Sequence, residues 1–146
     1  MLSQFFLKFV LAAVFGIGVD DGYATVFGTP GDVHAGGPLA CEHRPIPQDE
    51  PLCAHRYLPC GTQIVVVNME RNATAGCKVA DRGPYGVNKY GRWRGLIDLT
   101  PQVATAVKLD GRDKVRLFYL MPPKKSAMYK SYQWLSPKPP RSRDSM

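Results

Sequence analysis

Three short segments of this chain hold polar side chains of catalytic type in turn-forming surroundings. Ala54-His55-Arg56-Tyr57-Leu58-Pro59-Cys60-Gly61-Thr62 carries a histidine into an apolar run. Asp81-Arg82-Gly83-Pro84-Tyr85-Gly86 sets a carboxylate beside a guanidinium, and Gly95-Leu96-Ile97-Asp98-Leu99-Thr100 sets another among apolar residues. A carboxyl group that holds its proton can act as a general acid, and an ionised one as a base or as a stabiliser of positive charge. Asp98, flanked by Leu96, Ile97 and Leu99, stands in surroundings that raise a carboxyl pKa and hold its proton. It equally suits a structural carboxylate that accepts main-chain hydrogen bonds. Asp81 suits either an acid/base or a turn cap paired with Arg82. His55 suits a group that orients Asp81 by a hydrogen bond, and also a structural bridge within its loop. The pattern leaves open which aspartate donates the proton.

Short strands must position these segments, because fourteen glycines and thirteen prolines favour turns over long helices. A strand is predicted over Tyr23–Phe27, ending at the turn cluster Gly28-Thr29-Pro30-Gly31. Residues 29–52 form a long Gly- and Pro-rich loop. Thr62–Met69 is the strongest strand, apolar enough to be buried on both faces. Arg71-Asn72-Ala73 turns the chain into a strand over Thr74–Ala80. A helix opens with Thr100 as N-cap and Pro101 at its first position, puts Val103, Ala104 and Val107 on one face, and ends at Asp110-Gly111. Lys114–Leu120 alternates as a last strand.

The length of 146 residues argues for one domain, over 20–121, with appendages at 1–19 and 122–146. A hydrophobic content of 45% excludes a wholly disordered chain. The formal charge is +7, but +5 of it falls after Met121, so the body of the chain is close to neutral. With no groove-reading motif either, no nucleic-acid partner is expected. The apolar run Phe5–Val19 is about the length of a signal-peptide core and short for a membrane span. Export is the preferred expectation, ahead of an uncleaved anchor or a buried helix, and any membrane contact is through this segment. The tail from Pro122 is Pro- and Lys-rich without periodicity and is expected to be disordered, with an aromatic cluster at Tyr129, Tyr132 and Trp134.

Cys41, Cys53, Cys60 and Cys77 are an even set without CxxC spacing, which points to two disulfides in an oxidising compartment rather than a zinc knuckle. The expected pairs are Cys41–Cys53 and Cys60–Cys77, each closing a local loop; four reduced, buried thiols are the alternative. His34 and His43 have no partner in the pattern, so no metal and no cofactor is expected.

Together with Gly22-Tyr23-Ala24-Thr25-Val26-Phe27-Gly28, the three segments resemble the rare lipoprotein A family of double-psi β-barrels and its expansin relatives. In that family A-H-x-x-L-P-x-G-T, D-R-G-P and I-D-L-S/T segments follow in this order and spacing. The likeness covers about residues 20–120. It implies a six-stranded double-psi β-barrel with one or two short helices and a sugar-binding groove. The protein would be secreted, periplasmic or cell-wall associated, and act on the glycan strands of peptidoglycan. A lytic transglycosylase uses one carboxyl group as acid, then as base on the muramic acid's own hydroxyl, leaving a 1,6-anhydro end. The resemblance puts Asp81, Asp98 and His55 at the groove as catalytic residues, with Asp81 the first candidate for the acid/base, Asp98 the second carboxylate, and His55 orienting Asp81 or binding a substrate hydroxyl or acetamido group; Thr25 and Arg82 would bind substrate. Tyr85, Tyr90 and Trp93 offer aromatic faces that either stack on a pyranose or pack within their loop.

The segment Val87–Arg94 is longer than the family's link, which leaves groove shape and substrate choice open. No lipobox cysteine or C-terminal peptidoglycan-binding module is recognisable; the basic tail suits a tether to acidic wall polymers. Fold alone does not settle catalysis. A non-catalytic, wall-loosening carbohydrate-binding module and a structural or accessory barrel, such as a phage-particle component, are the competing expectations.

Overall fold

The computed structural model describes residues 16–32 and 37–121. Alternating apolar and polar side chains make the longer strands there, and the three-residue segments Leu52–Ala54 and Ile97–Leu99 fill the gaps between them. The strands are β1 (Gly16–Val26), β2 (Leu52–Ala54), β3 (Gln63–Asn68), β4 (Ala73–Asp81), β5 (Ile97–Leu99) and β6 (Asp113–Met121). One short helix, α1 (Pro101–Ala106), lies between β5 and β6. The strands close into a barrel in the order β1-β5-β2-β4-β3-β6. The β1–β5 and β2–β4 pairs are parallel and the other four antiparallel. The chain is thus mainly β, a closed mixed six-stranded barrel with one helix.

β6 binds two walls at once. It pairs with β1 from Gly16–Met121 to Ala24–Asp113 and with β3 from Ile64–Tyr119 to Asn68–Val115. Val115 and Leu117 of β6 meet Ile64 and Val66 of β3, Leu99 of β5 and Val103 and Val107 in one buried cluster. Each fully buried aliphatic side chain of this kind contributes about 1.5–3 kcal/mol. Asn68 is buried among them with every polar atom used: Nδ2 donates to Val107 O and Asp113 Oδ2, and Oδ1 accepts from Glu70 N and Arg71 N.

Several expectations are corrected. β3 is buried on one face, not two: Ile64, Val66 and Asn68 point inward while Val65 is 45% exposed, because this wall has no covering layer outside. β1 starts at Gly16, seven residues before the predicted strand and inside the range assigned to the leader. The rest of that leader, His34 and the tail from Pro122 lie outside the described residues. Thr100 holds the N-cap position of α1, but its side chain does not cap the helix. Its hydroxyl donates to Glu50 O at 2.7 Å and accepts from Leu52 N at 3.2 Å, tying the loop before β2 to the start of the helix.

The disulfide pairing also differs. Cys41 joins Cys60 and Cys53 joins Cys77, and no cysteine is free. Local closure is a weak criterion, since the two pairings differ by only about 0.7 kcal/mol in chain entropy. Strand pairing decides instead. β2 runs parallel to β4, which brings Cys53 beside Cys77. Cys41 and Gly61 both donate main-chain hydrogen bonds to the end of β4, at Ala80 O and Val79 O, which sets Cys41 next to Cys60. Two disulfides are compatible with an oxidising, extracellular compartment.

Candidate functional site

Three neighbouring strands place the two carboxylates. Asp98 of β5 and Asp81 of β4 are both register partners of Ala54 in β2, which runs between them. Two strand spacings put their Cα atoms about 9–10 Å apart. Asp98 also pairs with Thr25 across β1–β5, and the Thr25 hydroxyl donates to Asp98 Oδ1. Burial raises the Asp98 pKa above the ordinary carboxylate value; the Thr25 hydrogen bond and the Arg56 charge oppose this, and Asp32 and Asp81 add to it. Gly83, with φ of +132°, passes so close that a Cβ there would stand 3.7 Å from Asp98 Oδ2. Only glycine takes that backbone shape without strain.

Asp81 is tied to the backbone. Its Oδ1 accepts from Ala40 N at 2.9 Å and Arg82 N at 2.8 Å, so it caps its own turn and pins the 37–51 loop. Arg82 folds back onto the first segment, donating to His55 O and Leu58 O and reaching Cys60 Sγ at 3.3 Å. His55 is fully buried. Its Nδ1 accepts from Leu58 N at 3.2 Å and Tyr57 N at 3.4 Å, while Nε2 has no hydrogen-bond partner among the described residues. Desolvation, with the charges of Arg56 and Arg82, lowers its pKa to about 3. The expected imidazole–Asp81 hydrogen bond is therefore not made. The two residues meet only through the backbone, His55 N donating to Asp81 O at 3.1 Å.

Arg56, which the sequence pattern did not single out, organises the third side. It is buried, and its Nη1 donates to Pro84 O and Gly95 O, both at 2.7 Å. Those carbonyls are the two feet of the 84–95 segment, where Gly95 lets Pro84 approach to 2.8 Å of a would-be Cβ. Burial lowers the Arg56 pKa, yet the two carbonyls and the Trp93 ring, 4.6 Å below the guanidinium, stabilise the cation. The segment Val87–Arg94 is a small hairpin, bridged at Val87–Trp93 and turned by Asn88, whose Oδ1 accepts from Tyr90 N and Arg92 N. Trp93 thus gives a face to Arg56 and an edge contact to Tyr85. Tyr85 is 55% exposed, and Tyr90 stands out at the hairpin with Lys89 over its ring.

Two cavities meet at Asp98 and Arg82. The first, about 590 Å³, is also lined by Thr25, Tyr85, Arg94 and Arg112. The second, about 390 Å³, is lined on the far side by Asp32, Asp81, Ala54 and Phe27. Asp98 is therefore shared by both halves of one trough, with a cationic half on the hairpin side and an acidic half on the loop side. Of the residues singled out in the sequence, Thr25, Arg82 and Tyr85 line it, while His55 and Trp93 line neither cavity. Asp32, Arg94 and Arg112 do line it and carried no sequence signal, since each comes from a turn or loop without a motif. Among the described residues no group of three His, Cys, Asp or Glu side chains is placed to hold a metal ion.

No protein-family model matches the chain, and a comparison with curated proteins finds no match.

Proposed function

We propose that this protein is an exported, peptidoglycan-active double-psi β-barrel that cleaves glycan strands by a lytic transglycosylase mechanism, with Asp98 as the acid/base. The observation that carries the reading is the position of Asp98: a carboxyl group whose pKa burial raises, lining both of two adjoining cavities. The closed mixed barrel and the order of the four resembling segments support the fold assignment, and the two disulfides support export.

In this mechanism the Asp98 carboxyl gives its proton to the glycosidic oxygen as the C1–O bond breaks. The resulting carboxylate takes the proton of the muramic acid C6 hydroxyl, whose oxygen closes on C1. No water is consumed, the acid is regenerated, and one end of the product is a 1,6-anhydro sugar. Thr25 holds the carboxyl through Oδ1 in both protonation states. Asp81 acts as a positioning residue, fixing Ala40 and the 37–51 loop over the second cavity.

The test is mass spectrometry of purified peptidoglycan incubated with the full chain and with Asp98→Asn and Asp81→Asn. Anhydro products are expected from the wild type, with Asp98→Asn slower by about 10²–10⁴-fold, the contribution of a general acid. An Asp98→Asn variant that is fully active would overturn the assignment. Wall-loosening without cleavage is the second reading, favoured by the burial of His55 and the tethering of Asp81. Sedimentation of the wild type with sacculi without any soluble product would establish it.

A further inference from the structure

Arginines of the described chain fall into two sets. Arg44, Arg71 and Arg116, away from the trough, each face a carboxylate at 2.5–2.7 Å. Arg56, Arg82, Arg92, Arg94 and Arg112, all at the hairpin or the trough, face no carboxylate within ion-pair distance among the described residues. Arg56 and Arg82 are spent on main-chain carbonyls that hold the loops. Arg94 and Arg112 remain, side by side on the first cavity. Arg112 is held in place by the Tyr23 ring, 3.9 Å from its guanidinium carbon, and by a hydrogen bond from Nη2 to Arg94 O. The Arg94 guanidinium makes no hydrogen bond or ion pair among the described residues.

Cations left unpaired at a concave surface cost nothing while solvated and gain charge-assisted, bidentate hydrogen bonds when an oxyanion arrives. The second cavity has the opposite character, with Asp32 and Asp81 on its walls. A polymer that crosses Asp98 therefore meets cations on one side and carboxylates on the other.

We infer that Arg94 and Arg112 form a carboxylate-recognition subsite in the first cavity, so that the substrate is an acidic glycan laid in one direction, its charged unit on the hairpin side of Asp98. The inference rests on the glycan-cleaving reading above and adds to it the substrate's charge, its orientation and two specificity-determining residues. The hairpin Val87–Arg94 supplies one of them, so the added length of that segment has a function in substrate choice. The carboxylate belongs either to the sugar or to a stem peptide attached to it; both present the same oxyanion to the arginines.

Calorimetric binding to the full-length protein separates the cases. The probes are peptide-free glycan strands, peptide-bearing strands, each of these with its carboxyl groups converted to amides, and a neutral hexamer of β-1,4-linked N-acetylglucosamine. The wild type is expected to bind acid over amide about tenfold more tightly, at the low end for charge-assisted bonds at an open site. In Arg94→Gln, and separately in Arg112→Gln, that ratio is expected to fall toward one. Arg94→Gln is the cleaner variant because its guanidinium supports nothing else in the described fold. A preference seen with peptide-free strands assigns the carboxylate to the sugar, and one seen only with peptide-bearing strands assigns it to the peptide. Equal binding of acid and amide forms, or an unchanged ratio in both variants, overturns the inference while leaving the glycan reading standing. Failure to bind any strand or the hexamer overturns both.

Discussion

Asp98 and Asp81 are separated by one strand, each the register partner of Ala54, yet they live under different constraints. Asp98 takes a hydroxyl from Thr25 and is shielded by burial, whereas Asp81 Oδ1 is occupied by two main-chain N–H groups. Proximity does not make them a symmetric pair: one is a buried carboxyl with a raised pKa between two cavities, and the other holds a loop.

The raised pKa of Asp98 has a consequence for stability. The folded state binds this proton more tightly than the unfolded chain, so the stabilisation is fully present below the ordinary value of 3.8 and is lost as pH rises through the folded pKa. Above that value the cost of ionising a buried carboxyl opposes folding. Asp98→Asn is therefore expected to melt at a higher temperature than wild type at pH 7, with the gap closing as pH falls toward 4. Thermal melts of both proteins across that range check it; a parallel offset at all pH values contradicts it.

His55 has the opposite sign. Its folded pKa, about 3, lies below the ordinary 6.5, so the unfolded chain takes up a proton that the folded one refuses. Stability on this account falls by about 2 kcal/mol between pH 7 and pH 5. In His55→Gln that component is expected to vanish, against a loss of about 2 kcal/mol at pH 7 from the disturbed Tyr57 and Leu58 amides. Urea unfolding at the two pH values measures both. Identical pH dependence in the two proteins would rule out a buried neutral imidazole.

A tryptic digest separates the observed kind of pairing from local closure. Trypsin cuts at Arg56, Arg71 and Lys78 but not before Pro45, leaving Cys41 and Cys53 on one peptide and Cys60 and Cys77 on two others. A species of three linked peptides is expected without reductant, whereas a Cys41–Cys53 bond would leave that peptide unlinked to the rest. Replacing Cys41 and Cys60 together by Ala is expected to cost about 3 kcal/mol, the closure entropy of the loop they span. It would also loosen Ala40 from Asp81, visible as faster amide exchange at Ala40.

Much of this arrangement is visible in the residues, and the gaps have physical causes. β3, β4 and β6 run six to nine residues, long enough for alternation to register, and Pro101 marked α1. β2 and β5 are three residues each, too short to show any period, and exist because their neighbours in the barrel complete their hydrogen bonds. The apolar flanks of Asp98 announced its raised pKa. His55 turns inward because the amides of Tyr57 and Leu58, two and three residues on, donate to its Nδ1, a contact set by the shape of the turn and not by residue type. Arg56, Arg94 and Arg112 gain their meaning only when residues far apart in the chain are brought together.

β6 completes the barrel by joining β1, whose residues precede it by about a hundred positions, as in the Asp21–Arg116 ion pair. During synthesis, every segment of the trough is already in place in the chain before the last wall emerges. Until then β1 and β3 each offer an unsatisfied edge, ready to pair with a neighbouring molecule. Folding of this protein is thus a race between the arrival of residues 113–121 and self-association, and a truncation before Asp113 is expected to leave an aggregating sheet rather than a smaller barrel.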